Sequence, residues 1–203
     1  MRYLEFRQTF ELYPVISVRE IKKIYPYFDS RRLVEWQLKG YLIKMKRGFN
    51  CFMDKEKNEP FIHYVANKIY APSYITLESA LAFYNLIPEG VFTTTSLTTK
   101  YTTKYTNPIG NFEYRHIKPS LYFGYKLIEK NKVFIKIAEI EKAILDYFYM
   151  NKINDLESIK EMRFNSIQAK ELINFEKLKI FQNRFNSNIL AKRIKMFKKV
   201  IDA

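Results

Sequence analysis

The residues of this chain that could perform acid–base or metal chemistry are few and scattered. The 203 residues include two histidines, His63 and His116, and one cysteine, Cys51, which are too few for a standard zinc centre. No Gly-rich phosphate loop, nucleophile elbow or His-Glu-x-x-His segment occurs. The carboxylates that could bind magnesium are spread over predicted strands and helices: Glu113, Glu139, Glu141 and Asp146. The sequence therefore predicts no catalytic residue, metal or cofactor, although a magnesium-dependent nucleic-acid-processing enzyme stays open as an alternative.

Two of these groups have a simpler structural interpretation. Asp146 lies among apolar residues on a predicted helix, so we expect a structural acid paired with a partner such as Arg115 or a backbone amide. The periodicity of that helix predicts that Lys142 lies outside its packing face. His116 falls on a predicted strand, where a hydrogen-bonded core histidine is more common than a general base.

The charge of the chain points to a polyanionic partner. Lys and Arg number 35 against 21 Asp and Glu, a net charge of +14, and basic residues are in excess in each of the segments 1–65, 66–150 and 151–203. A basic tail attached to a neutral enzyme would concentrate that excess in one segment. The alternative is a lysine-rich solubilising surface. We expect a protein with more than one basic surface.

Other features of the composition bear on location. A single cysteine cannot form an internal disulfide, which fits a reducing compartment. The first fifteen residues carry both acidic and basic side chains, unlike a signal peptide, and no uncharged stretch approaches the roughly 20 apolar residues of a membrane span. We expect a soluble cytoplasmic protein without a membrane partner.

The segment 1–65 has the pattern of three helices followed by a hairpin. Aromatic residues at helical spacing open the chain. Ser17 and Glu20 form a capping box for a second helix, and Gly40 ends a third helix that Asp29 or Ser30 caps. Apolar alternation then predicts a hairpin over 42–53. This order is typical of a winged helix-turn-helix domain.

The third helix and the hairpin carry the candidate nucleic-acid contacts. Arg31 or Arg32 is suited to a bidentate contact with guanine, and Glu35 to accepting from cytosine. The packing side of that helix is expected to hold Leu33, Val34, Gln37 and Leu38, with Trp36 and Leu38 at its borders. The hairpin cations are expected to bind phosphates, which gives affinity without sequence information. The alternative is a winged helix used for protein contact. The predicted DNA-binding residues are Ser30, Arg31, Arg32, Glu35, Lys39, Lys44, Lys46 and Arg47.

The rest of the chain predicts a second, larger unit. A helix follows caps at Ser73 and Thr76, a threonine-rich run over 91–106 begins a mixed or antiparallel sheet, and the last fifty residues are helical. On the final helix, Arg193 is expected among cations that spread away from its apolar edge. We predict an α+β protein with a winged helix-turn-helix domain at 1–65 and a mixed α/β domain with a helical C-terminus at 66–203.

Three blocks of this second unit carry a family resemblance. They are TLESALAFYNLIPE at 76–89, SLTTKYTTKYTNPIGNFEYRHIKPSLYFGY at 96–125 and AEIEKAILDYF at 138–148. In order and spacing they resemble the AbiEi antitoxin family of type IV toxin–antitoxin systems, which act in abortive infection against phage. With the winged-helix pattern, the resemblance covers roughly residues 1–150.

The resemblance implies a DNA-binding autorepressor whose antitoxin domain counteracts a nucleotidyltransferase toxin without a stable complex. It assigns DNA reading to the helix at 30–39 and the wing at 44–49, on double-stranded operator DNA. Where the family pattern has a Lys-Arg pair, this chain has Lys100 and Tyr101. A stand-alone winged-helix transcription factor is the alternative. The motif region also implies a second basic surface, formed by Lys100, Lys104, Tyr105, Arg115 and His116.

Overall fold

The computed structural model describes residues 1–88 and 90–202 as an α+β fold. Glu89, which ends the first of the three resemblance blocks, and Ala203, which ends the predicted second domain, lie outside the described residues. None of the helices in the described part is long and apolar enough to pass through a lipid bilayer.

Short helices and strands alternate over the segment 1–52. In chain order they are α1 (Tyr3–Phe10), β1 (Ile16–Ser17), α2 (Val18–Ile24), α3 (Arg31–Leu38), β2 (Leu42–Lys46) and β3 (Phe49–Phe52). The three strands form an antiparallel sheet in the order β1-β3-β2. The predicted capping box of α2 is confirmed, because the Ser17 hydroxyl accepts from the Glu20 amide and the Glu20 carboxylate accepts from the Ser17 amide.

A larger mixed sheet follows. Its elements are α4 (Glu59–Ile69), β4 (Ser73–Ile75), α5 (Leu77–Phe83), β5 (Thr93–Thr98), β6 (Thr103–Asn107), β7 (Gly110–His116), a 3-10 turn at Pro119–Leu121, β8 (Tyr125–Lys130) and β9 (Val133–Ala138). The strand order is β6-β7-β5-β4-β9-β8. The β4–β9 and β5–β7 pairs are parallel and the others are antiparallel.

The remaining chain is helical, as predicted. It forms α6 (Ile140–Met150), α7 (Leu156–Glu161), α8 (Ser166–Leu172), α9 (Phe175–Phe185) and α10 (Asn188–Asp202). Asp155, Asn165 and Asn174 stand before α7, α8 and α9, and each side chain accepts a backbone N–H of the first turn. Such caps satisfy amides that have no partner within the helix.

Helices cover both faces of the large sheet. On one face, the Tyr114 hydroxyl of β7 donates to the Ala66 carbonyl of α4. On the other face, the Tyr74 hydroxyl of β4 donates to the Asp146 carboxylate of α6. Since successive side chains of a strand point to opposite faces, strand register decides which helix layer each residue meets.

The hairpin β2–β3 belongs to two hydrophobic cores. Leu42 pairs with Phe52, and both lie in a small aromatic core with α1 and α3. Ile43 pairs with Cys51, and both lie in the main core with α4 and the large sheet. The predicted domain boundary between residues 65 and 66 falls inside α4. The N-terminal unit is therefore packed onto the larger unit by the second face of its own hairpin.

An ion pair also joins the two units. Lys68 of α4 donates to the Glu20 carboxylate of α2 at 2.6 Å. Burial acts to raise the pKa of Glu20, but hydrogen bonds from Lys68 and Ser17 outweigh it and hold that pKa below its usual value. The charged form of Glu20 is therefore the one that the folded protein favours.

The expectation that Arg193 lies on a cationic surface is wrong. Its side chain is buried, and its guanidinium donates to the Phe148 carbonyl at 2.7 Å, the Asn151 carbonyl at 2.9 Å and the Asn154 side chain at 2.7 Å. The last carbonyls of α6 have no backbone N–H partner within the helix, and the Arg193 guanidinium donates hydrogen bonds to this end of α6. The predicted apolar face of α10 is confirmed as buried, with Leu190, Ile194, Phe197 and Ile201.

Candidate nucleic-acid interface

Helix α3 packs through Leu33, as the sequence predicts, and through Trp36, which was expected only at the border of the packing face. Leu33 and Trp36 are buried, and the Trp36 ring lies 4.7 Å from the Phe6 ring of α1. Val34, which we expected to pack, and Leu38, which we expected at the border of the packing face, are 54% and 85% exposed. Trp36, the largest apolar side chain of the helix, packs against the aromatic face of α1, so the buried face of α3 is formed by Leu33 and Trp36. The exposed face of α3 therefore combines cations with two apolar side chains.

The first turn of α3 contains a local ion pair. Asp29 accepts from the backbone N–H of Arg31 at 3.0 Å and from its guanidinium at 2.9 Å, while the N-cap residue, Ser30, makes no side-chain cap. Hydrogen bonds from Arg31 lower the pKa of Asp29. Asp29, not Ser30, therefore supports the start of the helix, and it holds Arg31 on the exposed surface.

The other predicted side chains of α3 are also exposed. Arg32, Glu35 and Lys39 all lie on its solvent side. Arg32 lines a depression beside α1 and the α2–α3 turn, together with Asp29 and Tyr27. It therefore borders the exposed face on the side away from the hairpin, whereas Ser30 lies on the hairpin side.

The tip of the hairpin presents two cations. Gly48 has a positive φ of 83° that favours glycine and closes the turn, and its carbonyl accepts from the Val18 amide at the start of α2. Lys44 and Arg47 are exposed, and neither has an ion-pair partner among residues 1–88 and 90–202. Both cations are therefore available to an anionic ligand.

The ammonium of Lys46, unlike the side chains of Lys44 and Arg47, is held by contacts within the protein. The pairing register of β2 with β3 shifts between Lys44 and Lys46, and an irregularity of this kind re-aims a side chain. The Lys46 ammonium donates to the Ile69 carbonyl at 3.1 Å and lies 4.6 Å from the Tyr70 ring and 4.4 Å from the Tyr105 ring. Lys46 thus ties the hairpin to α4 and β6, instead of standing free beside Lys44.

A groove of about 400 Å³ separates α3 from the hairpin. Ser30, Val34 and Gln37 line it from the α3 side, and Lys44, Lys46 and Arg47 line it from the hairpin. The Gln37 amide donates to the Asn50 side chain at 2.7 Å across its floor. The groove brings the helix and the hairpin tip to one side of the molecule, at a separation that a hydrogen bond fixes.

The predicted second basic surface is divided between the two faces of the large sheet. Lys104 pairs with Glu113 across β6 and β7, and Arg115 lies two residues further along the same face. Tyr105 pairs with Phe112 on the opposite face, which His116 shares by alternation. The five predicted residues therefore do not form one surface.

Two of those residues, Arg115 and Lys104, form hydrogen bonds or an ion pair within the protein. The Arg115 guanidinium donates to the Met150 carbonyl and to the Asn151 side chain, and Lys104 pairs with Glu113 at 2.9 Å. The expectation that His116 is a core residue is wrong, because its side chain is exposed at the end of β7. Lys100 lies close to it, since a ring nitrogen of His116 bonds the Lys100 carbonyl at 3.0 Å.

Each of the four carboxylates considered as magnesium ligands is paired with a lysine. Glu113 pairs with Lys104, and Glu139 and Glu141 both pair with Lys177. In the described part of the chain, no three His, Cys, Asp or Glu side chains come together in a group that could hold a metal ion.

Asp146 forms the most deeply buried of these pairs. Its partner is Lys142, not Arg115, and both side chains are completely buried. The expectation that Lys142 lies outside is therefore wrong. The Asp146 carboxylate also accepts from the hydroxyls of Tyr74 at 2.9 Å and Thr76 at 3.0 Å. Burial raises the pKa of Asp146 and lowers that of Lys142, because it disfavours both charged forms.

Three cations of α2 were not predicted from the sequence as part of the interface. Arg19, Lys22 and Lys23 are exposed, and Arg19 follows Val18, which is bonded to the hairpin turn. None of the three shares the buried face of α2, which Ile21 occupies, and this placement on the helix is the signal that could have identified them.

Comparison with protein-family models and with curated proteins finds no match for this chain.

Proposed function

We propose that the segment 1–52 is a winged helix-turn-helix domain that binds double-stranded operator DNA. The element order α1-β1-α2-α3-β2-β3 and the sheet order β1-β3-β2 support this assignment. In such a domain the exposed helix enters the major groove and the hairpin reaches the flanking backbone. Here α3 is the recognition helix and β2–β3 is the wing.

The side chains of the interface have distinct roles in this proposal. Arg31 and Arg32 contact guanine, and Glu35 accepts from cytosine or orients an arginine. Val34 and Leu38 add apolar contacts suited to the methyl group of thymine. Contacts to phosphate fix position without reading sequence. They come from Ser30, Lys39, Lys44 and Arg47, with Arg19, Lys22 and Lys23 beside them, while Lys46 anchors the wing to α4.

The observation that carries the proposal is the groove between α3 and the hairpin. It places Lys44 and Arg47, both without an ion-pair partner in the part of the chain described, on the same side as the exposed face of α3. The net charge of +14 favours the same polyanionic partner.

The test is the salt dependence of binding to the DNA upstream of the gene, followed by fluorescence anisotropy. Each phosphate contact contributes about −0.9 to the slope of log K against log salt. Replacing Lys44 and Arg47 together with alanine should reduce the magnitude of the slope by about 1.8 and weaken all sequences alike. The control, Lys192→Ala with Lys195→Ala on α10, removes the same charge and should leave the slope unchanged.

Sequence preference provides the second measurement. Arg31→Ala and Arg32→Ala should each relax discrimination at one base pair by about 1–3 kcal/mol, with a smaller change in non-specific affinity. Absence of duplex binding at low salt would refute the assignment, and so would binding whose affinity is indifferent to salt.

The antitoxin role rests on the three-block resemblance to the AbiEi family. In this proposal the chain represses its own operon in the cytoplasm and counteracts a nucleotidyltransferase toxin without a stable complex. Co-expression with the nucleotidyltransferase encoded beside it should restore growth, while co-purification of the two proteins should fail. Operator binding without growth rescue would instead identify a stand-alone transcription factor.

A further inference from the structure

The segment between β5 and β6, residues 99–102, is tightly held although it is exposed. The Tyr70 hydroxyl donates to the Tyr101 carbonyl at 3.0 Å, and the Lys100 amide donates to the Thr98 hydroxyl at 3.1 Å. The His116 amide donates to the Thr102 hydroxyl at 3.0 Å. These bonds fix the backbone of a segment whose side chains face solvent.

One of those side chains is the aromatic ring of Tyr101, which is exposed to solvent. Tyr101 is 89% exposed, whereas its own backbone carbonyl is bonded to Tyr70. A tyrosine has only two side-chain torsions, so a fixed backbone leaves little entropy to lose when a ligand stacks on the ring. Tyr101 is therefore a preorganised stacking surface.

A cavity of about 920 Å³ lies beside this ring. It is lined by the aromatic residues Tyr70 and Tyr101, by Lys100, by His116 and by the two threonines of the segment, Thr99 and Thr102. The volume is in the range of sites for small molecules or single nucleotides. Its composition, aromatic and cationic together, matches a base and its phosphate.

The side chains of Lys100 and His116 are held in place within the cavity. The Lys100 ammonium donates to the Ala71 carbonyl at 2.6 Å and lies 5.6 Å from the Tyr70 ring. The His116 Nδ1 bonds the Lys100 carbonyl at 3.0 Å, and since a carbonyl can only accept, Nδ1 carries the proton and Nε2 is left for a ligand. Lys46 lies on the same Tyr70 ring at 4.6 Å, so positive charge continues from the cavity to the hairpin.

We propose that this cavity binds an unpaired nucleotide of single-stranded nucleic acid, with the base stacked on Tyr101 and its phosphate beside Lys100 and His116. A duplex cannot use the ring in this way, because its base faces are already stacked within the helix. The site is thus separate from the proposed duplex contact of α3, and it gives a role to the segment where the chain has Lys100 and Tyr101.

The test uses the full chain and fluorescently labelled 12-nucleotide single strands of DNA and of RNA, with the matched duplex as a third ligand. Stacking of one base contributes about 1–3 kcal/mol, so Tyr101→Ala should weaken single-strand binding by about 5-fold to 150-fold. Tyr101→Phe keeps the ring and should bind like the wild type. The matched control is Phe92→Ala, which removes another aromatic ring, 91% exposed, that lies outside the cavity.

The outcomes separate this site from the α3 interface. Loss of single-strand binding in Tyr101→Ala with unchanged duplex binding supports the proposal, and a preference between DNA and RNA then identifies the source of the strand. No single-strand binding at low salt, or equal affinities for wild type and Tyr101→Ala, would overturn it. Equal loss in Tyr101→Phe and Tyr101→Ala would also overturn it, as would loss caused only by Lys44→Ala with Arg47→Ala.

Discussion

The buried pair of Lys142 and Asp146 gives the sharpest test of the structure. Both side chains are completely enclosed, and the carboxylate also accepts from Tyr74 and Thr76. Replacing Asp146 with asparagine keeps the size and the acceptor for the two hydroxyls, but it leaves the Lys142 ammonium without its counter-charge. An unpaired charge in such a position is strongly destabilising.

The magnitude follows from that geometry. Removing one partner of a buried pair costs about 3–5 kcal/mol, and in a chain of this size each kcal/mol lowers Tm by about 2–4 °C. We therefore expect Asp146→Asn to lower Tm by about 6–20 °C at pH 7. The double variant, Lys142→Met with Asp146→Asn, removes both charges and should recover most of the loss, because neutral replacements of buried pairs are often tolerated.

The pH dependence gives an independent check on the same variant. Burial lowers the pKa of Lys142, so folding disfavours its ammonium form relative to the unfolded chain. A group with a lowered folded pKa contributes stability that is present above its unfolded pKa and is lost as the pH falls through the folded value. The deficit of Asp146→Asn should therefore shrink as the pH is raised from 7 towards 10.

The assay is urea unfolding of the wild type, both single variants and the double variant, followed by tryptophan fluorescence and circular dichroism. Because each single variant leaves one buried charge unpaired and the double variant leaves none, the double-mutant cycle should give a coupling free energy of at least about 3 kcal/mol. A loss below about 1 kcal/mol in Asp146→Asn, or additive losses in the double variant, would show that the two charges are not paired in a dry interior.

Two further predictions concern contacts between distant parts of the chain. Glu20→Gln should cost about 1 kcal/mol at neutral pH by weakening the pair with Lys68; since the pKa of Glu20 is lowered, this deficit should disappear as the pH falls through that pKa, which urea unfolding at several pH values will measure against Glu56→Gln. Arg193→Lys should cost about 2–3 kcal/mol, because an ammonium cannot reproduce the three guanidinium bonds, whereas Lys192→Arg, compared by thermal unfolding, should be neutral.

Local patterns in the sequence predicted the elements that depend on neighbouring residues. The Ser17–Glu20 capping box is formed because its two members are three residues apart on one turn. The hairpin was predictable because apolar residues alternate on both of its strands. Apolar spacing likewise identified the buried edge of α10. In each case the interacting side chains are close in the chain, so periodicity contains the information.

Contacts across long stretches of chain were not predictable in this way. Lys142 was expected outside the packing face because of the periodicity of its helix, yet it is buried and donates to the Tyr74 hydroxyl, 68 residues away. Arg193 meets the end of α6, which lies far before it in the chain. A single sequence gives no sign of such partners, and only the packed fold brings them together.

Strand register explains the failure of the second basic surface. The five predicted residues lie close together in the sequence, and four of them are on β6 and β7, but Lys104 and Tyr105 necessarily point to opposite faces of the sheet. Arg115 then follows Lys104 to the α6 side, where it bonds the Met150 carbonyl. Because side chains alternate between the two faces of a strand, the sequence alone separates residues at alternate positions. Applying this rule within each strand would have placed Lys104 and Tyr105 on different faces.

The hairpin holds the two proposed sites in fixed positions relative to each other. One of its faces completes the core of α1 and α3, and the other completes the main core. Lys46 and the Asn107 side chain, which donates to the Met45 carbonyl at 3.0 Å, add polar links to α4 and β6. A hinge needs a connection with few buried contacts, and this connection has many. The α3 interface and the Tyr101 cavity are therefore held at a fixed separation, so a ligand that engages both must itself change from paired to unpaired strand between them.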